Sequence, residues 1–240
     1  PLYELALMTA AVARGSGAED VELTLVSPEP APLAIFGTAG IDAVDQLLGD
    51  AGVEFRGMAR AEVPEPGVVR VDGELLLRAD DVVALPLIEG PRVPGVPADE
   101  HGFLPVDSHG RVGVLDQVYA AGDATDFPIK QGGLACQQAD AVARHIAAQV
   151  VEGLEAEPFR PVLRGKLLTG RGAHYLRHAA GRPREGAASA LELWWPPTKV
   201  SGRYLSRTLA HLEGPDAERA QPRADEGIAV DIPVGRVAQR

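Results

Sequence analysis

The residues best suited to chemistry lie between 118 and 140. The short apolar run Val118-Tyr119-Ala120-Ala121 ends on Gly122-Asp123-Ala124, and a loop carrying Lys130 and Gln131 leads to a helix pattern that opens on Gly132-Gly133. Glycine and alanine let the backbone come close to a ligand. A carboxylate at the C-terminal edge of a strand, here Asp123, accepts hydrogen bonds from a sugar-type hydroxyl. A helix N-terminus offers free N–H groups and the positive end of its dipole, which suit a group that becomes anionic. Lys130 would add a full positive charge at the same place, which makes it the one candidate catalytic side chain. Alone, Gly-Asp reads as a turn with a capping acid; the whole string from Val118 to Gly133 carries the stronger reading.

Other reactive residues are isolated. Cys136 is the single cysteine, which excludes an intrachain disulfide or a Cys-x-x-Cys pair, and it falls inside a helix of small residues. His174 and His178 have metal-like spacing for a helix but no evident third ligand, and Arg171, Arg177 and Arg182 surround them. They read as a solvated basic face, and no metal site is expected. Trp194-Trp195-Pro196-Pro197 reads as a core pair in preference to an anchor at a membrane interface.

The elements that must position these residues alternate. Leu2, Leu5, Ala6, Met8, Thr9 and Val12 recur with helical spacing until Gly15 and Gly17. Residues 21–26 read as a strand, 41–49 as a helix and 53–55 as a strand, the rhythm of a parallel α/β layer. Three short β runs at 58–63, 68–71 and 74–78 follow. Pro66-Gly67 and Asp72-Gly73 divide them, and the second pair is a strong hairpin signal. Residues 81–86 read as a continuous buried strand, 89–99 as a proline-rich connector, 103–107 and 118–121 as short strands, and 133–151 as a long helix. A hairpin at 159–178, a strand at 190–195, an amphipathic helix at 201–212 and a disordered polar tail from about 214 complete the reading.

The chain has 240 residues, and its net charge of −11 argues against nucleic acid, since phosphate binding needs clustered Lys and Arg. No apolar run is long enough to span a bilayer, and the first residues lack the pattern of a signal peptide. A cytoplasmic location is expected, or one peripheral to the inner face of the membrane. The sequence opens directly on a helix pattern, so a fragment of a longer protein is expected.

Val118-Tyr119-Ala120-Ala121-Gly122-Asp123-Ala124-Thr125 resembles the second FAD-binding motif of the pyridine nucleotide-disulfide oxidoreductase superfamily. Phe127-Pro128-Ile129-Lys130-Gln131-Gly132-Gly133, continued by Gln137-Gln138-Ala139-Asp140, is similar to the branch of type II NADH dehydrogenases and sulfide:quinone oxidoreductases. The resemblance implies that Asp123 binds the flavin ribityl chain and that the helix start lies against the isoalloxazine ring, whose N1–C2=O edge gains negative charge on reduction. Gly122, Ala124, Lys130, Gln131, Gly132 and Gly133 are the other expected FAD contacts. Tyr3-Glu4-Leu5-Ala6 and Val26-Ser27-Pro28-Glu29 look like parts of the family's NAD unit, which makes Glu4 and Glu29 weak NAD candidates. Leu85-Pro86 resembles the last strand of that unit.

The implied architecture is α/β: a partial Rossmann-like, three-layer NAD(P)-type unit with its meander (1–88), the C-terminal half of an FAD domain (89–152) and an α+β appendage (153–240). The implied reaction moves two electrons from NAD(P)H through FAD to a quinone or similar acceptor. A sulfide- or thiol-oxidising flavoprotein and a non-catalytic interaction module are the alternatives. Peripheral membrane contact through 194–212 and a homodimer are compatible with the resemblance. One departure is plain: no Gly-x-Gly-x-x-Gly occurs anywhere. That glycine motif holds the FAD adenosine and pyrophosphate in this family, so these residues alone are expected to bind FAD poorly.

Overall fold

The computed structural model describes residues 1–18, 20–179, 186–200, 202–205, 208, 212 and 230–231. The chain divides into two compact units. Unit 1 comprises Pro1–Pro86 and Gly165–Leu191, and unit 2 comprises Leu87–Arg164 and Glu192–Arg240.

Unit 1 begins with α1 (Leu2–Ser16), which buries Tyr3, Leu7 and Ala10 on one face. Gly17 ends it in the left-handed conformation, and N–H groups of Gly17 and Ala18 return to the carbonyls of Arg14 and Ala13. Strands β1 (Leu23–Val26) and β2 (Val53–Arg56) pair in parallel, Leu23 opposite Val53. The helix α2 (Gly37–Asp50) connects them and buries Gly40, Val44 and Leu48 at four-residue spacing. The meander follows as β3 (Ala61–Glu65), β4 (Val68–Val71) and β5 (Leu75–Arg78), all antiparallel. Asp72 and Gly73 both take positive φ, 50° and 79°, as the two central residues of a tight turn closed by the Glu74 N–H on the Val71 carbonyl. Asp72 also accepts a hydrogen bond from the Arg60 N–H.

A second antiparallel sheet joins β6 (Val162–Leu168), β7 (Ala173–Ala179) and β8 (Ala187–Ser189). The expected hairpin at 159–178 is thus β6 and β7. Its Gly170 turn lies so close to α1 that a Cβ there would come within 2.6 Å of the Ala11 Cβ. The Leu168 N–H donates to the Glu4 carboxylate, tying the end of β6 to the start of α1. Phe36 is buried beside Gly165, where an added Cβ would meet its ring at 2.7 Å.

Unit 2 is organised around α3 (Gly132–Ala148), which buries Gly133, Leu134, Gln138 and Ala141. The expected strands at 103–107 and 118–121 are only single bridges, Leu104 with Thr125, Val106 with Val112 and Arg111 with Tyr119. Trp194 is fully buried and belongs to the two-residue strand β9 (Trp194–Trp195), paired with β10 (Val230–Asp231). Val230 and Asp231 lie within the tail expected beyond 214. The rest of that tail, and most of the helix expected at 201–212, lie outside the described residues.

The strand expected at 81–86 and the solvated basic face expected at His174 and His178 are not found. Residues 81–86 form no strand, and the apolar run they begin is exposed, up to 97% at Leu87. A strand buried on both faces needs neighbours on both sides, and no described strand pairs with this run. His174 and His178 lie on β7 and not on a helix. Four residues along a strand separate two side chains by about 13 Å, so their spacing brings no ligands together. Nor do they form a solvated face: both are half-buried, His174 is pushed below the ordinary histidine pKa by burial, and both His178 ring nitrogens are buried without a partner. Among the described residues no group of three or more His, Cys, Asp or Glu is placed to hold a metal ion, and no helix is long and apolar enough to cross a membrane.

Leu48, at 1% exposure, should lose about 3 kcal/mol of stability as Leu48→Ala. Leu87→Ser should change it by less than about 0.5 kcal/mol. Urea unfolding of both variants checks the contrast, and a large effect at Leu87 would contradict its exposure.

Candidate functional site

Gly122–Ala124 forms one 3-10 turn against α3. Gly122 has φ 77°, and a Cβ there would lie 3.1 Å from the Ala135 Cβ. Glycine is therefore required twice, by the left-handed backbone and by the close approach. The turn is held from behind. The Gly122 N–H donates to Gln138 Oε1 at 2.6 Å, and the Thr125 hydroxyl and N–H both donate to the Gly122 carbonyl, at 2.8 and 3.1 Å. Gln138 and Thr125 are both buried, while the Asp123 carboxylate is exposed.

The start of α3 is uncapped. Gln131 occupies the N-cap position in extended conformation but makes no side-chain cap. Its Nε2 donates instead to the Arg164 carbonyl at 2.9 Å, and its Oε1 is buried without a partner. The first intrahelical bond runs from the Ala135 N–H to the Gln131 carbonyl. The N–H groups of Gly132, Gly133 and Leu134 thus lack the acceptor that a Ser, Thr, Asp or Asn cap would bring.

Lys130 is committed to the loop. Its Nζ donates to the Thr125 carbonyl at 2.5 Å and sits 3.8 Å from the centre of the Phe103 ring. Burial pulls its pKa below the ordinary lysine value, against the opposing pull of the Asp123, Asp126 and Asp99 carboxylates. An edge-to-face pair between Phe127 and Phe159, 5.2 Å apart, fixes the other side of the same loop.

The remaining polar residues of α3 hold neighbouring backbone. Gln137 exchanges two hydrogen bonds with the main chain of Val162, each 2.9 Å, acting as a one-residue strand partner. Asp140 accepts from the N–H groups of Arg203 and Tyr204, and burial holds its carboxyl above the ordinary aspartate value. Cys136 is half-buried, and burial followed by the nearby Asp140 charge raises its thiol pKa.

Sequence reasoning grouped Gly122, Asp123 and Ala124 with Lys130, Gln131, Gly132 and Gly133, and all of these lie in unit 2 on or beside α3. It quoted Gln138 within a motif but gave it no role. The available signal was an amide in a helix otherwise rich in alanine. Glu4 and Glu29 lie in unit 1. Glu29 follows the end of β1 and already accepts a hydrogen bond from the Tyr3 hydroxyl at 2.5 Å, while Glu4 holds the Leu168 N–H. Burial and the Glu29 bond push the Tyr3 hydroxyl far above the ordinary tyrosine pKa.

The fold resembles that of the sulfide:quinone oxidoreductase from Aquifex aeolicus, with TM-score 0.70 and 18% identity over 78% of this chain and 50% of that one. It also resembles the flavoprotein disulfide reductase RclA from Escherichia coli, with TM-score 0.51 and 16% identity over 75% of this chain and 41% of that one. LpdA from Mycobacterium tuberculosis gives TM-score 0.50 and 17% identity, covering 71% and 38%. The chain spans half or less of the length of each. No protein-family model and no curated protein sequence matches it.

Gly122→Ala should cost about 1–3 kcal/mol through the left-handed φ alone, and more through the contact with Ala135. Gly113→Ala, where an added Cβ meets nothing within 4 Å, should change stability by less than about 0.5 kcal/mol. Thermal unfolding of the two variants measures the difference.

Proposed function

We propose that this chain, whose fold is that of the pyridine nucleotide-disulfide oxidoreductase superfamily, supplies half of the FAD site of an oxidoreductase. In the intact protein two electrons pass from NAD(P)H through FAD to a quinone or similar acceptor. The observation that carries the proposal is the Gly122–Ala124 turn packed on α3, with an exposed Asp123 and an uncapped helix start on Gly132 and Gly133. These groups fit the cofactor chemically. Small residues leave room, a free carboxylate meets hydroxyls, and unpaired N–H groups meet an electron-rich ring edge.

Bound FAD supplies the redox chemistry, and the protein's part is placement and electrostatics. Asp123 accepts hydrogen bonds from the ribityl hydroxyls. The first-turn N–H groups of α3 and the positive end of its dipole stabilise negative charge beside Gly132 and Gly133, worth about 0.3–2 kcal/mol. Lys130 fixes the loop between them through the Thr125 carbonyl and the Phe103 ring. For the donor, Glu29 follows the C-terminal end of β1, the edge of a parallel sheet where nucleotides bind. A ribose hydroxyl there would share that carboxylate with Tyr3. Thiol oxidation draws no support from Cys136, whose thiol pKa is raised.

The gene product that carries these residues, mixed with FAD and desalted, should retain flavin absorption bands. Asp123→Ala should weaken FAD binding about tenfold or more, the loss of one or two hydrogen bonds to a charged acceptor. Absence of flavin from the wild-type protein would overturn the proposal.

A further inference from the structure

We infer that Gln138 is a positioning residue for the flavin-binding turn, an inference that rests on the flavin reading above. A glutamine side chain in a helix interior is costly to bury unless its amide is satisfied. Gln138 is 7% exposed and faces Thr125, which is fully buried. Three hydrogen bonds close a ring. The Gly122 N–H donates to Gln138 Oε1 at 2.6 Å, Gln138 Nε2 donates to Thr125 Oγ1 at 3.4 Å, and Thr125 Oγ1 donates to the Gly122 carbonyl at 2.8 Å.

The ring takes up both polar main-chain groups of Gly122. That matters because glycine has the widest conformational freedom of any residue, and Gly122 immediately precedes Asp123. With its N–H and C=O both held on the Gln138 side, one backbone conformation is selected at φ 77° and the Asp123 carboxylate is left exposed. Gln138 touches no cofactor in this scheme. It acts through Gly122, and its amide is suited to the task because it offers an acceptor and a donor from one rigid plane.

Gln138→Met and Gln138→Glu separate this role from simple packing. Met fills the volume but offers no usable donor or acceptor. A buried Glu is chemically equivalent to Gln only while protonated, when its C=O accepts from Gly122 and its O–H donates to Thr125. Deprotonated, it loses the donor and brings a charge into the buried ring. Gln138→Met should lose the hydrogen-exchange protection of the Gly122 amide, read by NMR, and bind FAD at least tenfold more weakly. Gln138→Glu should bind FAD nearly as well as wild type in mild acid and lose affinity as pH rises, measured against wild type at each pH. Wild-type FAD affinity in Gln138→Met, or a Glu variant that tracks wild type at every pH, would overturn the inference. If Gln138→Met does not fold, the pH profile of the Glu variant decides. If the wild-type protein takes up no FAD, the flavin reading fails and this inference with it. That outcome is distinct from flavin binding that ignores residue 138.

Discussion

Buried main-chain polar groups must be paired, and in unit 2 the side chains of α3 do much of the pairing. The segments around this helix are irregular, with bridges one residue long in place of ladders. Their N–H and C=O groups cannot all satisfy one another, and an orphaned group costs as much as a lost hydrogen bond. Gln131 takes the Arg164 carbonyl, Gln137 both main-chain groups of Val162, Gln138 the Gly122 N–H and Asp140 the N–H groups of Arg203 and Tyr204. A single helix and its N-cap thus set the course of three separate stretches of chain, β6, the Gly122 turn and residues 203–204.

The same constraint produces the open helix start. Gln131 turns its amide to Arg164 and makes no side-chain cap, so the first-turn N–H groups lack one. Packing agrees with this arrangement. Gly122 lets the turn approach Ala135 more closely than any larger residue would, and Lys130 spends its charge on the Thr125 carbonyl and the Phe103 face. What remains available is the exposed Asp123 carboxylate beside an uncapped helix start.

Unit 1 solves the pairing problem largely with regular ladders. Its parallel pair and its meander satisfy their own backbones. Close approach is again bought with glycine, at Gly165 against Phe36 and at Gly170 against α1. Side chains still hold main-chain groups there, Asp72 the Arg60 N–H, the Tyr3 hydroxyl the Leu33 N–H and Glu4 the Leu168 N–H across a long stretch of sequence. The commitment of Glu4 explains why an acidic residue near a helix start need not serve a nucleotide.

The sequence by itself determined what local sterics decide. Gly17 ends α1, Asp72-Gly73 makes the hairpin turn, and Gly122-Asp123 followed by Gly132-Gly133 marks the turn and helix of the candidate site. Each depends on φ preferences and spacing within a few residues. Tertiary structure alone decided whatever needs a distant partner. The run 81–86 has the composition of a buried strand, yet burial requires neighbours that its own residues cannot specify. His174 and His178 read as a solvated face, yet the sheet that the hairpin joins leaves both half-buried. Lys130 and Gln138 were visible as a charge and an amide, but their roles depend on Thr125, Phe103 and Gly122, contacts that exist only once the loop has folded back on α3.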